Sequence, residues 1–309
     1  MFFQQRCLRL LSVLLLLCCN RLYAQQFIAL WPAGKMPNTK GMALKDSIAN
    51  ERIYQVGTPG MYAFFPSDQE NNGAAVVICP GGGYQRLAYI ISGTQLAKWY
   101  NSIGISAFVL NYRLPNSPDL VNRETGPLMD AQRAIKYIRA NAVKWKLNKE
   151  KVGIMGISAG GHLAALTGIA IKDFSSISDS LDSQSPGPSF MILISPVVDL
   201  GKYAHKGSRD NLLGANATSK IIENYSNQLH VSAGTPRTFI VHAANDKAVD
   251  PHNSLLFFTA LLEQGISSSL HIFPAGGHAI ALRNNPGTAN MWTDICEGWL
   301  KEISIIQPL

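Results

Sequence analysis

Short, almost wholly apolar runs recur along most of this 309-residue chain, separated by longer amphipathic stretches. The runs are continuous rather than alternating between apolar and polar positions. Such continuity is typical of strands covered on both faces, as in a parallel sheet. The runs lie at residues 74–79, 106–112, 152–155, 190–194, 238–242 and 269–273. We predict that each forms a strand of one mostly parallel sheet.

Amphipathic helices are predicted between these strands. After Pro127, which suits a first helical turn, apolar residues recur at three- and four-residue spacing up to Ala142. Residues 254–264 predict a second helix that ends at Gly265 as a left-handed cap, and residues 293–303 predict a last one. Strands that alternate with helices predict an α/β fold, with a mostly parallel, doubly wound sheet and helices on both faces.

Two regions interrupt the alternation. Near the N-terminus, the runs 52–56 and 61–65 predict an antiparallel pair around a turn at 58–60. Residues 173–235 contain one clear strand among many Ser, Pro, Gly and Asn residues. This region is expected to form either a lid or wall of a substrate site or an ordinary surface loop with short helices.

The first residues have the pattern of a secretory signal peptide. Arg6 and Arg9 precede an apolar run at 11–17, and Ala24 supplies a small residue at a cleavage point. The apolar run is too short to span a bilayer comfortably, so no stable membrane span is expected. We predict a signal peptide at residues 1–24 and export to the periplasm or the cell exterior.

The remainder, residues 25–309, is predicted to form one domain. Removing the signal peptide takes away three arginines and no acid, so the net charge falls from +7 to about +4, which does not indicate a nucleic-acid partner. Cys79 and Cys296 remain and are expected as buried free thiols, because two cysteines make neither a disulfide framework nor a zinc site. Lipoprotein anchoring through Cys18 or Cys19 is an alternative, but leucines rather than small residues precede this pair.

The strongest local signal is Gly156-Ile-Ser158-Ala-Gly160, directly after the run at 152–155 and before an apolar helical stretch. A Gly-x-Ser-x-Gly turn between strand and helix holds its serine in a strained conformation with the hydroxyl exposed. The glycines are needed because side chains beside the serine would clash in so tight a turn. The motif therefore predicts Ser158 as a nucleophile.

A glycine-rich loop, Pro80-Gly-Gly-Gly-Tyr84, follows the run at 74–79. A tetrahedral oxyanion has to be met by backbone N–H groups already aimed at it, and side chains would block that approach. We predict that one or both of Gly82 and Gly83 form an oxyanion hole with the N–H of Ala159. A flexible glycine turn is the alternative.

A base and an acid follow in the order expected for this motif. Asp246 lies just after one predicted strand, and His278 follows the next strand and a pair of glycines. Both positions are at carboxyl ends of strands, where sites in open α/β sheets collect. We predict His278 as general base and Asp246 as its orienting carboxylate, with Asp250 as a rival farther from the strand end. Structural roles are expected for the remaining histidines: His162, His205, His230, His242, His252 and His271.

Several segments of the chain resemble a known family. They are Trp31-Pro32, Pro80-Gly-Gly-Gly-Tyr84, Asn111-Tyr-Arg-Leu114, Asp130-Ala-Gln-Arg-Ala134 and Gly156-x-Ser-Ala-Gly-Gly-His-Leu163. They are similar to the bacterial acetylxylan and feruloyl esterase-like branch of the α/β-hydrolase superfamily, which is related to the hormone-sensitive lipase-type esterases. The similarity extends over nearly the whole mature chain. Proteins of this branch are often labelled as xylanases or xylan esterases.

The resemblance implies the α/β-hydrolase fold and hydrolysis of ester-linked substituents of plant polysaccharides, without metal or cofactor. By position it marks Ser158, Asp246 and His278 as the triad and Gly82, Gly83 and Ala159 as the oxyanion hole. The chain also departs from the family: Pro80 stands where lipase-type relatives have His, Asp250 stands where many relatives have Pro, and residues 88–94 lack the expected acids.

Three other functions compete with an esterase that acts on small-molecule or polysaccharide esters. A glycosidase usually needs two carboxylates across the scissile bond, and none of the acidic residues lies in the elbow or the glycine loop. A peptidase of the prolyl-oligopeptidase type usually carries a large additional domain, for which this chain has no room. A non-catalytic binding protein on the same fold would be marked by loss of a triad residue, and all three are present.

Overall fold

The computed structural model describes residues 26–278 and 280–307. The predicted signal peptide therefore lies outside the described residues. The strands are β1 (Gln26–Ala29), β2 (Ser47–Ala49), β3 (Arg52–Gln55), β4 (Gly60–Phe64), β5 (Ala75–Cys79), β6 (Ser106–Asn111), β7 (Val152–Ile157), β8 (Phe190–Ile194), β9 (Arg237–Ala243) and β10 (Ser269–Phe273). The α-helices are α1 (Gln95–Ser102), α2 (Gly126–Ala140), α3 (Ala159–Ile169), α4 (Lys206–Leu213), α5 (Ser219–Asn224), α6 (His252–Glu263) and α7 (Trp292–Glu302).

The main sheet has eight strands in the order β1-β4-β6-β5-β7-β8-β9-β10. From β6 to β10 all neighbours are parallel, whereas β1 and β4 are antiparallel at one edge. Each strand predicted from an apolar run belongs to the parallel part. The predicted mostly parallel sheet is confirmed, and its strands bring their carboxyl ends to one edge.

Both faces of the sheet are covered by helices. Val77 of β5 belongs to a core shared with α2, α3 and α6, whereas Val76 and Ile78 belong to a second core shared with α1 and α7. Successive side chains of a strand point to opposite faces, so an apolar run with no alternation fills both cores. The doubly wound architecture is confirmed. Gly265, with φ 69°, follows α6 in the predicted left-handed conformation.

The predicted pairing of residues 52–56 with 61–65 is wrong. β3 instead pairs with β2, and β4 pairs with β1 and β6. The cause is a two-residue turn at Asn50 and Glu51, whose φ angles of 48° and 61° match a tight hairpin turn between β2 and β3. Glutamate rarely adopts a positive φ, so the sequence carries little sign of this turn.

Three of the segments behind the family resemblance meet in one buried network. Asp130 accepts hydrogen bonds from the Arg113 guanidinium at 2.9–3.1 Å and from Trp31 Nε1 at 2.8 Å. Arg133 donates from Nε to the carbonyl of Leu30 at 3.1 Å. A buried ion pair needs its remaining hydrogen bonds satisfied, and here Trp31 supplies one of them to Asp130. These contacts fix the N-terminal segment against α2. Their role is structural.

Residues 173–235 contain β8 and two short α-helices, α4 and α5, together with 3₁₀ turns at Ser180–Ser183 and Asn227–His230. Cys79 and Cys296 are buried and unpaired, as expected, and burial raises the pKa of both thiols. Within the ranges that the structure describes, no helix combines the length and apolar character needed to cross a bilayer.

Candidate active site

Ser158 occupies the tight turn between β7 and α3. Its φ of 56° and ψ of −123° lie outside the ordinary regions for a residue with a side chain. A Cβ atom at Gly156 would lie 2.0 Å from the carbonyl oxygen of Gly160, and one at Gly160 would lie 2.1 Å from that of Cys79. Both glycines are therefore required sterically, as the motif predicts.

His278 lies within hydrogen-bonding distance of both Ser158 and Asp246 at the carboxyl edge of the sheet. The Ser158 hydroxyl donates to His278 Nε2 at 2.9 Å, and His278 Nδ1 donates to Asp246 Oδ2 at 2.8 Å. The rival Asp250 is half exposed and accepts from Nδ1 of His252 at 2.7 Å instead. The structure thus brings together the hydroxyl, imidazole and carboxylate that the sequence predicts, with Asp246 rather than Asp250.

The Asp246 carboxyl is buried and held on both oxygens. Oδ1 accepts from the backbone N–H groups of Ala248 at 2.8 Å and Val249 at 3.0 Å. Burial by itself raises the pKa of this carboxyl. The hydrogen bonds from His242, His278, Val249 and Ala248 outweigh burial and hold its pKa well below the usual range. Asp246 is therefore ionised at neutral pH.

His242 is a site residue that the sequence analysis missed. It is fully buried, and its Nε2 lies 3.2 Å from Asp246 Oδ2 and 3.1 Å from the carbonyl oxygen of Val249. Both neighbours are acceptors, so Nε2 carries the proton, and Nδ1 accepts from the Ser254 hydroxyl at 2.7 Å. Its place at the end of β9, four residues before Asp246, is the signal that would have found it.

The glycine loop lies against the elbow. The Gly81 N–H donates to Ser92 Oγ at 3.1 Å, whereas those of Gly82 and Gly83 have no hydrogen-bond partner among the described residues. Ala159 is the first residue of α3, so its N–H has no intrahelical acceptor. A Cβ at Gly82, where φ is 137°, would lie 2.1 Å from the Arg86 carbonyl oxygen. The loop therefore offers unpartnered N–H groups, and at Gly82 its backbone leaves no room for a side chain.

Buried tyrosine and histidine side chains stabilise this loop through hydrogen bonds. Tyr84 is fully buried and donates its hydroxyl to His162 Nδ1 at 2.9 Å. His162 Nε2 donates in turn to the carbonyl of Tyr225 at 2.8 Å, and the Tyr112 hydroxyl donates to that of Pro80 at 2.8 Å. Burial lowers the pKa of His162 to about 4, so its ring is neutral at pH 7. The structural role that the sequence predicts for His162 is thus to stabilise the glycine loop.

A cavity of about 390 Å³ opens above Ser158. Its lining combines four glycines, apolar side chains, two arginines and two histidines, and no acidic residue is among the described residues that line it. His205, from the irregular region 173–235, is one of them and was not predicted. Its Nδ1 accepts from the Ser208 N–H at 3.1 Å, and burial, followed by the proximity of a second imidazole at His278, lowers its pKa. Nothing in its local sequence indicates that it lines the cavity.

Comparison with known proteins identifies the family. The BD-FAE family model matches residues 61–261. The chain belongs to this family. It is 35% identical over 227 residues to an acetylxylan esterase of Xylanibacter ruminicola (72% of this chain, 44% of that protein) and 33% identical over 255 residues to the endo-1,4-beta-xylanase B of Butyrivibrio fibrisolvens (81% and 40%). The chain thus spans less than half the length of these curated relatives.

Two solved structures share the fold of this chain. An acetyl ester-xyloside bifunctional hydrolase from Caldicellulosiruptor lactoaceticus superposes with a TM-score of 0.79 at 33% identity, covering 91% of this chain and 97% of that one. A thermophilic esterase from Thermogutta terrifontis superposes with a TM-score of 0.67 at 23% identity, covering 89% and 98%. The predicted α/β-hydrolase fold is confirmed.

Proposed function

We propose that this BD-FAE protein is a serine carboxylic-ester hydrolase that removes acetyl or other short acyl groups from plant polysaccharides or oligosaccharides such as xylan. The observation that carries the proposal is the hydrogen-bonded series from the Ser158 hydroxyl through His278 to the buried carboxylate of Asp246. Unpartnered N–H groups beside that hydroxyl support it, since acyl transfer needs both an activated nucleophile and an oxyanion site.

In the proposed mechanism, His278 Nε2 takes the Ser158 proton while Oγ attacks the ester carbonyl. The N–H groups of Gly82, Gly83 and Ala159 stabilise the negative oxygen of the tetrahedral intermediate. The imidazolium, which Asp246 stabilises and orients, returns the proton to the departing alcohol and leaves an acyl-enzyme. Water then attacks the acyl-enzyme, His278 takes its proton, and the carboxylic acid leaves as Ser158 regains its hydrogen.

The choice of substrate rests on the relatives and on the cavity. One relative is named as an acetylxylan esterase and a solved neighbour as an acetyl ester-xyloside bifunctional hydrolase. Although another relative is named as a xylanase, glycoside hydrolysis usually needs two carboxylates flanking the bond, and the described lining contains none. Ester cleavage is therefore favoured over glycosidase activity.

We further propose export to the periplasm or the cell exterior, with cleavage after Ala24. The basic start and the short apolar run at 11–17 support this. Mass spectrometry of the mature protein from its native host is expected to find Gln25 at the N-terminus. A lipid-modified Cys18 or Cys19 would contradict cleavage at this position.

The enzymatic proposal is tested by product release. We expect the protein to liberate acetate from acetylated xylan and p-nitrophenol from short-chain p-nitrophenyl esters, with feruloylated arabinoxylan assayed beside them. Ser158→Ala is expected to lose turnover by several orders of magnitude, because the nucleophile is gone. Activity of Ser158→Ala close to that of the unmodified protein would refute the assignment. Reducing sugar released from deacetylated xylan would instead establish a glycosidase.

A further inference from the structure

The mouth of the cavity carries positive charge without a matching acid. Arg52 and Arg86 both line it, and no aspartate or glutamate is among its described lining residues. The nearest acid in sequence, Glu51, is exposed and forms no ion pair with either arginine within the described ranges. An unneutralised pair of guanidinium groups in a partly enclosed site favours an anion there.

The two arginines lie next to residues that are joined by one isolated backbone bridge. Ile53 of β3 and Leu87 exchange N–H···O hydrogen bonds of 3.0 and 2.8 Å across an isolated antiparallel bridge, and both side chains are buried. Successive side chains of an extended segment point to opposite faces, so the residues that flank the bridged pair point away from the face of Ile53 and Leu87. Arg52 and Arg86 therefore share the face toward the cavity, at diagonal positions whose backbones are roughly 7–8 Å apart. A single carboxylate between two long side chains lies within reach of both.

Their donors are largely unused. Arg52 donates from Nη1 to the carbonyl of Asn50 at 2.8 Å, and Arg86 donates from Nη1 to Gln85 Oε1 at 2.9 Å. A guanidinium has five N–H groups, and no further hydrogen bond of either is found among the described residues. The buried Arg113, in contrast, is paired with Asp130. The rim arginines are thus held in place and still able to donate.

We propose that Arg52 and Arg86 form an anion-binding subsite that holds a carboxylate carried by the substrate near its scissile ester. The inference rests on the proposed esterase function and deepens it, because it names an acidic substrate class. A carboxylate and a guanidinium form charge-assisted, often bidentate hydrogen bonds that fix orientation as well as add affinity. The anion belongs either to the alcohol part, as a uronic acid branch of an acetylated oligosaccharide, or to the acyl part, as a dicarboxylic half-ester.

The kinetic test compares matched esters. One pair is an acetylated xylo-oligosaccharide with and without a uronic acid branch, and the other is p-nitrophenyl hemisuccinate and p-nitrophenyl butyrate. We expect kcat/KM to favour the acidic member of at least one pair by about tenfold at low ionic strength, and less at high salt. The double variant R52Q/R86Q is expected to bring that ratio close to one. Arg237→Gln, at the start of β9 and thus at the opposite edge of the sheet, is the control and is expected to keep it.

Preference in the first pair assigns the carboxylate to the sugar, and preference in the second assigns it to the acyl group. Equal rates for acidic and neutral members of both pairs would overturn the subsite, as would an R52Q/R86Q variant that slows both members equally. A second readout is independent of turnover: calorimetric binding of the acidic and neutral members of both pairs to Ser158→Ala. If the protein hydrolyses no ester, the proposed function fails. Tighter binding of the acidic member of either pair would still support the subsite, and equal binding within both pairs would overturn it.

Discussion

The floor and the rim of the cavity are built in different ways. On the floor, hydrogen bonds join Ser158, His278 and Asp246, and both Asp246 oxygens have partners. At the rim, Arg52 and Arg86 each make one guanidinium hydrogen bond among the described residues. Side chains whose hydrogen bonds are all made within the protein are held in one geometry, whereas side chains with unpaired N–H groups can still bind a substrate. We therefore expect the triad to determine the reaction and the rim arginines to select the substrate.

The largest expected effect comes from the two neighbouring aspartates. Asp246→Asn is expected to lower kcat by about 10⁴-fold, because the imidazole loses the carboxylate that sets its tautomer and stabilises its charge. Asp250→Asn is the matched control, since the Asp250 carboxylate accepts a hydrogen bond from the exposed His252 and forms none with His278. Its kcat is expected to stay within about twofold, as for surface changes away from a site. Steady-state kinetics that show equal losses in both variants would break the distinction between floor and surface.

The oxyanion loop offers a second matched pair. Gly82→Ala brings a Cβ to 2.1 Å from the Arg86 carbonyl oxygen, whereas at Gly83 the nearest atom is His205 Cε1 at 3.9 Å. Gly82→Ala is expected to lower kcat by about 10²–10³-fold, the size typical of losing one oxyanion donor. Gly83→Ala should cost much less, about tenfold, because only a positive φ of 65° has to be accommodated. Melting temperatures measured alongside kcat separate a displaced loop from an unfolded protein, and similar kcat losses would contradict the proposal.

The buried imidazole behind Asp246 is expected to matter less, because it does not touch the reacting atoms. His242→Ala removes one of the hydrogen bonds that lower the Asp246 pKa. We expect a drop in kcat of about 10-fold to 100-fold, because the carboxylate that orients His278 is then held by fewer hydrogen bonds. His242→Gln restores a donor and should recover part of that loss. An unchanged kcat with only a lower stability would show a purely structural residue.

The smallest expected effect on turnover concerns His162, whose ring accepts the hydrogen bond from Tyr84 beside the glycine loop. Burial holds the His162 pKa at about 4, below its ordinary value of 6.5, so the folded protein favours the neutral ring. The stability this provides is present above pH 6.5 and is lost as pH falls toward 4. Between pH 7.5 and pH 5 the loss from this group is about 2 kcal/mol. Urea unfolding at both pH values should show that extra loss relative to His162→Asn. Equal losses in the two proteins would contradict it.

The floor could be predicted from the sequence because its chemistry lies at strand ends. Ser158, Asp246 and His278 each follow an apolar run, and parallel strands bring such ends to one edge whatever the loop details. The same logic favoured Asp246 over Asp250. A local pattern is enough when the fold itself brings the residues together.

The rim could not be predicted in this way. Arg52 reaches the cavity only because the turn at Asn50 and Glu51 folds β3 onto β2, and because Ile53 then bridges to Leu87. His205 belongs to an irregular region with no periodicity that relates it to the cavity. Positions set by isolated tertiary contacts leave no repeating signal along the chain.

The most direct test of the central claim is covalent labelling with a fluorophosphonate, read by intact mass and peptide mapping. The claim is that Ser158 is a nucleophile activated by His278 and Asp246. It predicts one adduct for each chain, located on Ser158, absent in Ser158→Ala and formed far more slowly in Asp246→Asn. A protein that stays unlabelled, or an adduct on another serine, would contradict it.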